Sequence, residues 1–136
     1  MLVRLQKTND HTITVDIQRI KGLKIDQKNA NANGFFQIIL LDRHRPLSTY
    51  QTKSYRLNSS AFALDEPIDL NILAFHPNNF DRIMIMIYFY ANLREHQCLG
   101  RIKLSSIDFI SGTGTIQWQQ LKDRQEFSMW HRLNKQ

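Results

Sequence analysis

Little in this sequence could staple, anchor or arm a protein. One cysteine, Cys98, in 136 residues rules out an internal disulfide. That fits a reducing compartment and excludes a cysteine-stapled secreted scaffold. No apolar run approaches the ~20 residues that a membrane span needs, and the opening "MLVRLQKTND" lacks the apolar core of a signal peptide. Any membrane contact is therefore expected to be peripheral, at a cytoplasmic address. The sequon at Asn58 reads as chance in that setting.

Catalytic and metal constellations are missing too. The five histidines are scattered, and His96 with Cys98 has no second pair to complete a tetrahedral zinc site. "SGTGT" carries two glycines but no following lysine, so it reads as a helix-entry turn rather than a phosphate-cradling loop. Cys98, at the start of an apolar strand, reads as a buried inert thiol, and Asp65 with Glu66 as a solvated turn. No Ser/His/Asp set or working carboxylate pair emerges, so no enzyme is expected.

Acids are also in short supply. Twelve Asp and Glu face eighteen Lys and Arg, a net charge of +6. This balance favours anionic partners, whether phospholipid headgroups, acidic protein faces or nucleic acid. With 42% hydrophobic and 22% charged residues, the chain has ordinary globular composition and the length of one domain spanning residues 1–136.

What the sequence does have is a period of two. "TITVDIQRI" sets Ile13, Val15 and Ile17 against Thr12, Thr14, Asp16 and Gln18, the pattern of a half-buried antiparallel strand. "GFFQIILL" is a denser run, and "PIDLNILAF" alternates Ile68, Leu70 and Ile72 with Asp69 and Asn71. In "RIMIMIYFY", Ile83, Ile85, Ile87 and Phe89 share one face and Met84, Met86, Tyr88 and Tyr90 the other, which predicts a strand covered on both sides. Turn-forming clusters such as "DQKNANANG", "DRHRP", "LNSS" and "HPNN" separate these runs. Together they predict an all-β sandwich. The exception is "GTIQWQQLKDRQ", where Trp118 and Leu121 at i, i+3 predict one or two turns of helix. It is followed by a last strand in which Phe127, Met129 and His131 alternate with Ser128, Trp130 and Arg132.

Read in order, these pieces resemble a C2 domain of the synaptotagmin and rabphilin type. "MLVRLQ" with "HTITVDIQRIKGL" is similar to that family's opening hairpin, and "NGFFQIILL" to its Asp-Pro-Tyr-Val-Lys-Val strand. "FHPNNFDRIMIMIYFY" resembles its Pro…Leu-Asp-Arg entry into a long apolar strand. "CLGRIKL" resembles its Ile-Gly-x-x-x-Leu strand, and "IQWQQL" with "WHRL" its Trp-containing helix and closing Trp-His-x-Leu. The resemblance implies an eight-stranded antiparallel Greek-key β-sandwich with a short helix before the last strand. It also implies a domain excised from a longer, tandem-C2 protein, with a neighbouring C2 domain as a possible intramolecular partner.

The family's calcium-binding members use about five Asp side chains in loops at one end of the sandwich, because the cation wants 6–8 oxygens. Carried over by the resemblance, those positions fall on Asp26, Asn33, Phe89, Ala91 and Gln97. One carboxylate is kept. Between Tyr88 and Leu99 the only acid is Glu95, so no shift of alignment restores the set. No calcium or other cofactor is expected.

The family's lysine-rich strand, which binds phosphoinositides and acidic proteins, corresponds to "RHRPLSTYQTKSYR". Here it carries Arg43, His44, Arg45, Lys53 and Arg56. At ~1 kcal/mol per basic residue near an anionic leaflet, four such cations supply about 4 kcal/mol, millimolar affinity on its own. Binding would then need avidity from a second domain or a multivalent lipid such as PIP₂. Two readings stand: a calcium-independent trafficking module docking on acidic membranes or vesicle-machinery proteins, and a protein-interaction C2 domain with no lipid role. A basic nucleic-acid-binding β-domain is a distant third, since only "STYQTKSYR" interleaves aromatics with cations. No nucleic acid is expected.

Overall fold

The period of two closes into two antiparallel sheets. The computed structural model describes residues 1–9, 12–21, 33–43, 45–56, 62–63, 67–71, 82–92, 96–105, 113–123 and 126–133. Its elements run β1 (Leu2–Asn9), β2 (Thr12–Ile20), β3 (Asn33–Asp42), β4 (Arg45–Gln51), β5 (Tyr55–Arg56), β6 (Phe62–Ala63), β7 (Ile68–Asn71), β8 (Ile83–Asn92), β9 (His96–Ser105), α1 (Thr113–Asp123) and β10 (Glu126–Trp130). Sheet A has the order β10-β1-β2-β6, with β7 also pairing β2, and sheet B the order β4-β3-β8-β9, with β5 also pairing β3. β4 and β5 lie along one edge of β3, and β6 and β7 along one edge of β2. Each pair is a single interrupted strand, so the ten segments make the expected eight-stranded sandwich, four positions to a sheet.

The inward rows of the two sheets form one core. Val3, Leu5, Ile13, Val15 and Ile17 from sheet A meet Phe36, Ile38, Leu40, Ile85, Ile87 and Phe89 from sheet B, all 2% exposed or less. In sheet B the register places Phe36 opposite Phe89, Ile38 opposite Ile87 and Leu40 opposite Ile85, so like-sized branched and aromatic side chains stand in rows across β3 and β8. Each such side chain is worth about 1.5–3 kcal/mol relative to exposure. The other face of β8 departs from expectation. Met86 and its neighbour Phe35 on β3 are buried, but Met84, Tyr88 and Tyr90 remain half-buried.

α1 is longer than the one or two turns expected. It packs on β9, β10 and β1 through Trp118 and Leu121, the predicted pair, both fully buried. Ile116 is 51% exposed instead, and the buried residue beside Trp118 is the polar Gln117. The Gln117 amide nitrogen donates to the carbonyl oxygens of Val3 (2.7 Å) and Phe127 (2.9 Å). With both amide hydrogens engaged, its oxygen accepts from His131 Nε2, which places a proton on that ring nitrogen. His131 also exchanges backbone bonds with Met1: its N–H donates to the Met1 carbonyl, and the Met1 ammonium donates to its carbonyl, each at 2.7 Å. One glutamine thus ties the helix to both ends of the chain.

A degenerate loop end and a basic edge strand as the candidate functional site

The sequence nominates two places, and the strand register locates both. At one end of the sandwich, Asn33 opposes Asn92, and Ala91 opposes Gln97. Phe89 and Ala91 share the inward side of β8, since the period of two keeps alternate residues on one face. Both are fully buried, and Phe89 stacks on Phe36 with ring centroids 4.6 Å apart. Two of the five nominated positions are therefore core side chains with no oxygen to offer. Asn33 is exposed at the head of β3. Asp26 and the Gln97 side chain lie outside what the structure describes. Among the described residues, no three His, Cys, Asp or Glu side chains come together.

The basic stretch is an edge strand, as a solvent-facing cationic strand should be. Arg43, Arg45, Lys53 and Arg56 are all exposed, and His44 lies outside the described residues. The structure does not gather them into a pocket. Arg45 opposes Asp42 and Arg56 opposes Asn33, about 30 Å apart along β3 at ~3.3 Å per residue, so the cations form two pairs, one at each end of the strand. The only acid between Asn33 and Arg56 is Asp42, and it is already engaged: Arg82 reaches it with Nε at 3.1 Å and a terminal guanidinium nitrogen at 3.2 Å. The Arg43 N–H donates to the Arg82 carbonyl at 2.7 Å, which helps hold Arg43 at φ 57° in the β3–β4 turn. Arg82, at the entry into β8, thus neutralises Asp42, and among the described residues Arg43 and Arg45 have no ion pair.

Two irregularities shape this edge. Leu47 is the extra residue of a bulge between the Leu40–Ser48 and Leu41–Pro46 pairs, and it stands 47% exposed between the arginine end and the rest of the strand. Sequence reasoning passed over it, although Pro46, which cannot donate to a ladder, marks an edge position there. The second irregularity follows Gln51, where three residues oppose two on β3. Thr52 mends it. Its N–H donates to the Phe36 carbonyl, and its hydroxyl accepts the Phe36 N–H, both at 2.9 Å. The hydroxyl proton goes to the Lys53 carbonyl at 3.0 Å. The strand resumes with Tyr55 packed on the core and Lys53 Nζ 5.4 Å from its ring centre.

The expectation of a buried thiol does not hold. Cys98 is half-exposed on the outward side of β9, across from Tyr90, with Sγ donating to the Gly100 carbonyl at 3.6 Å. The Tyr90 hydroxyl is pushed above its ordinary pKa by burial first, then by Cys98 and Tyr88, and stays a neutral donor. Among the described residues no helix is long and apolar enough to cross a membrane.

No family model and no curated protein matches the sequence. Solved structures match the fold. The third C2 domain of the KIAA1228 protein superposes with a TM-score of 0.68 at 10% identity, covering 99% of this chain and 87% of that one. The C2 domain labelled A in RIM from Drosophila gives 0.61 at 14% identity, over 76% and 84% of the two chains. The corresponding domain of RIM2 gives 0.55 at 16% identity, over 75% and 81%. With sheet orders, interrupted edge strands and the helix before the last strand all in place, the chain has the fold of a C2 domain.

Proposed function

We propose that this domain is a calcium-independent C2 module of membrane trafficking, docking peripherally on the anionic cytoplasmic face of a membrane through the β4–β5 edge. It binds rather than catalyses. The observation that carries the reading is the pairing of Asp42 with Arg82, which engages the only acid of the segment beside Arg43 and Arg45, while Lys53 and Arg56 add exposed positive charge at the other end of the edge. Their spread favours an extended anionic surface over a single headgroup, because no one headgroup reaches across about 30 Å of strand, the β3 span from Asp42 to Asn33. Exposed Leu47 adds an apolar foot within the strip. Fully buried Phe89 and Ala91 support calcium independence, since a cation seeking six or more oxygens gains nothing from either.

About 4 kcal/mol from four cations is weak. Useful residence then comes from multivalent lipids such as PIP₂ or from a second domain on the same chain. The test is co-sedimentation with phosphatidylserine vesicles, with and without PIP₂, across a salt series. The wild type should bind at low salt and bind better with PIP₂, and Arg43→Glu plus Lys53→Glu should abolish binding while leaving the melting temperature in place. Undiminished binding by that variant would overturn the assignment.

A further inference from the structure

Ser48 sits where an apolar side chain would be expected. The register sets it opposite Leu40 and sets Tyr50 opposite Ile38, and both of those β3 residues belong to the core, so Ser48 points inward with them. The residue is half-exposed, yet its hydroxyl oxygen is buried and has no hydrogen-bond partner among the described residues. A buried hydroxyl without a partner is a net cost to the fold, one that alanine would avoid. Packing gives no reason for serine at this position.

The residues ahead of it supply one. In Arg-His-Arg-Pro-Leu-Ser, Arg43 and Arg45 stand five and three positions before Ser48. Both are exposed, and the nearest acid, Asp42, is held by Arg82. Arginines at those offsets fit a protein kinase whose substrate groove carries carboxylates in the matching subsites, because charge pattern sets substrate choice in such enzymes. This end of the strand is also built to come away. β4 pairs only with β3, Pro46 has no N–H to give, and Leu47 is the extra residue of the bulge. Between Arg43 and Thr49 no described side chain belongs to the core, and Tyr50 is the first to pack on it. Opening this end exposes little apolar surface, the condition for low local stability.

We propose that Ser48 is a phosphorylation site for an arginine-directed serine kinase, and that its phosphate switches off the basic edge. With the strand end swung out, Ser48 Oγ attacks the γ-phosphorus of ATP. The Oγ–P bond forms as the bond to ADP breaks, ADP leaves with that electron pair, and the hydroxyl proton passes to the catalytic carboxylate of the kinase. Phosphoserine carries about −1.5 to −2 charges at neutral pH, so it does not return to its place beside buried Leu40. It stays outside, within reach of Arg43 and Arg45, whose guanidinium groups bond phosphate in pairs. Those two cations are then lost to a membrane. The switch rests on the docking reading; the acceptor site does not.

The test treats the domain with ATP, magnesium and a purified kinase that selects arginine at both offsets, and locates the phosphate by tandem mass spectrometry. A synthetic peptide of residues 41–52 is the control for kinase activity. The folded domain should take a single phosphate, on Ser48, more slowly than the peptide because the strand must open first. Arg43→Gln plus Arg45→Gln should slow incorporation by about tenfold or more, and Ser48→Ala should abolish it at an equal or higher melting temperature. The phosphorylated domain should exchange its Ser48 and Thr49 amides faster, with β8 unchanged, and should bind phosphatidylserine vesicles about thirtyfold more weakly, the loss of two basic residues. Phosphate elsewhere in the segment, a folded domain that stays unmodified where the peptide reacts, or incorporation indifferent to the two arginines would each overturn the site. Undiminished vesicle binding by the domain phosphorylated on Ser48 would overturn the switch. A domain that binds no vesicles before modification refutes the docking reading and the switch with it, while the mass spectrum still decides the acceptor site.

Discussion

Phe36 and Phe89 stack nearly parallel, at an interplanar angle of 15°, directly opposite each other in the β3–β8 register. Phe89 is where the C2 resemblance places a calcium-ligating carboxylate, so the ring contact occupies the room such a carboxylate would need. Restoring the acid should therefore break the core before it builds a site. Phe89→Asp loses the burial and stacking of a large ring, about 3–5 kcal/mol for truncation alone, and adds an unpaired buried carboxylate. The expected outcome is a variant that is unfolded or barely folded and shows no calcium-dependent rise in melting temperature. A well-folded Phe89→Asp, Ala91→Asp double variant with micromolar calcium affinity would refute this.

His131 predicts a pH dependence. Its pKa is lowered from 6.5 to about 4, first by burial and then by the nearby Met1 ammonium. The unfolded chain therefore binds more protons than the folded one between those values, so stability is full above about pH 6.5 and falls as pH drops toward 4. The linked loss is about 3 kcal/mol at its limit, at 1.36 kcal/mol per pKa unit. Urea midpoints measured from about pH 7.5 to 4.5 should show this slope, and His131→Asn should flatten it. An unchanged slope in the variant would place the titration elsewhere.

Gly100 answers to Leu133. A Cβ on Gly100 would lie 2.8 Å from the Leu133 Cβ, too close for either backbone to ignore. Gly100→Ala should cost about 1–3 kcal/mol by overpacking, and Leu133→Gly in the same chain, which removes the clashing Cβ, should recover part of it. Additive losses in the double-mutant cycle would show that the two positions do not meet.

Thr52→Val keeps the shape and deletes the hydroxyl that accepts the Phe36 N–H. Leaving a buried donor without its partner costs about 1–3 kcal/mol. Amide exchange should accelerate at Phe36 well beyond the change in global stability, and a uniform change across β3 would contradict the local role.

The inward rows were legible because burial repeats every second residue: Ile13, Val15, Ile17 and the isoleucines of β8 all lie where their alternation puts them. So was the Trp118–Leu121 pair. The bulges were not. One extra residue at Leu47 or after Gln51 is decided by which β3 amides find partners, and those partners are distant in sequence. Helix length was misjudged for a related reason. Gln117 is buried and Ile116 exposed, against the apolar pattern, because Gln117 is satisfied by Val3, Phe127 and His131. Of the candidate site, the chemistry of single positions was readable but its distribution was not. The spacing of the cations along an edge and the neutralisation of Asp42 appear only once β3, β4 and β8 are side by side.

The central claim is that docking needs basic charge and no calcium. Vesicles containing phosphatidylserine and PIP₂, sedimented with the domain in excess EGTA and again in millimolar free calcium at matched ionic strength, test it directly. The account predicts the same bound fraction in both, lost in Arg43→Glu plus Lys53→Glu. Binding that appears only with calcium would contradict it.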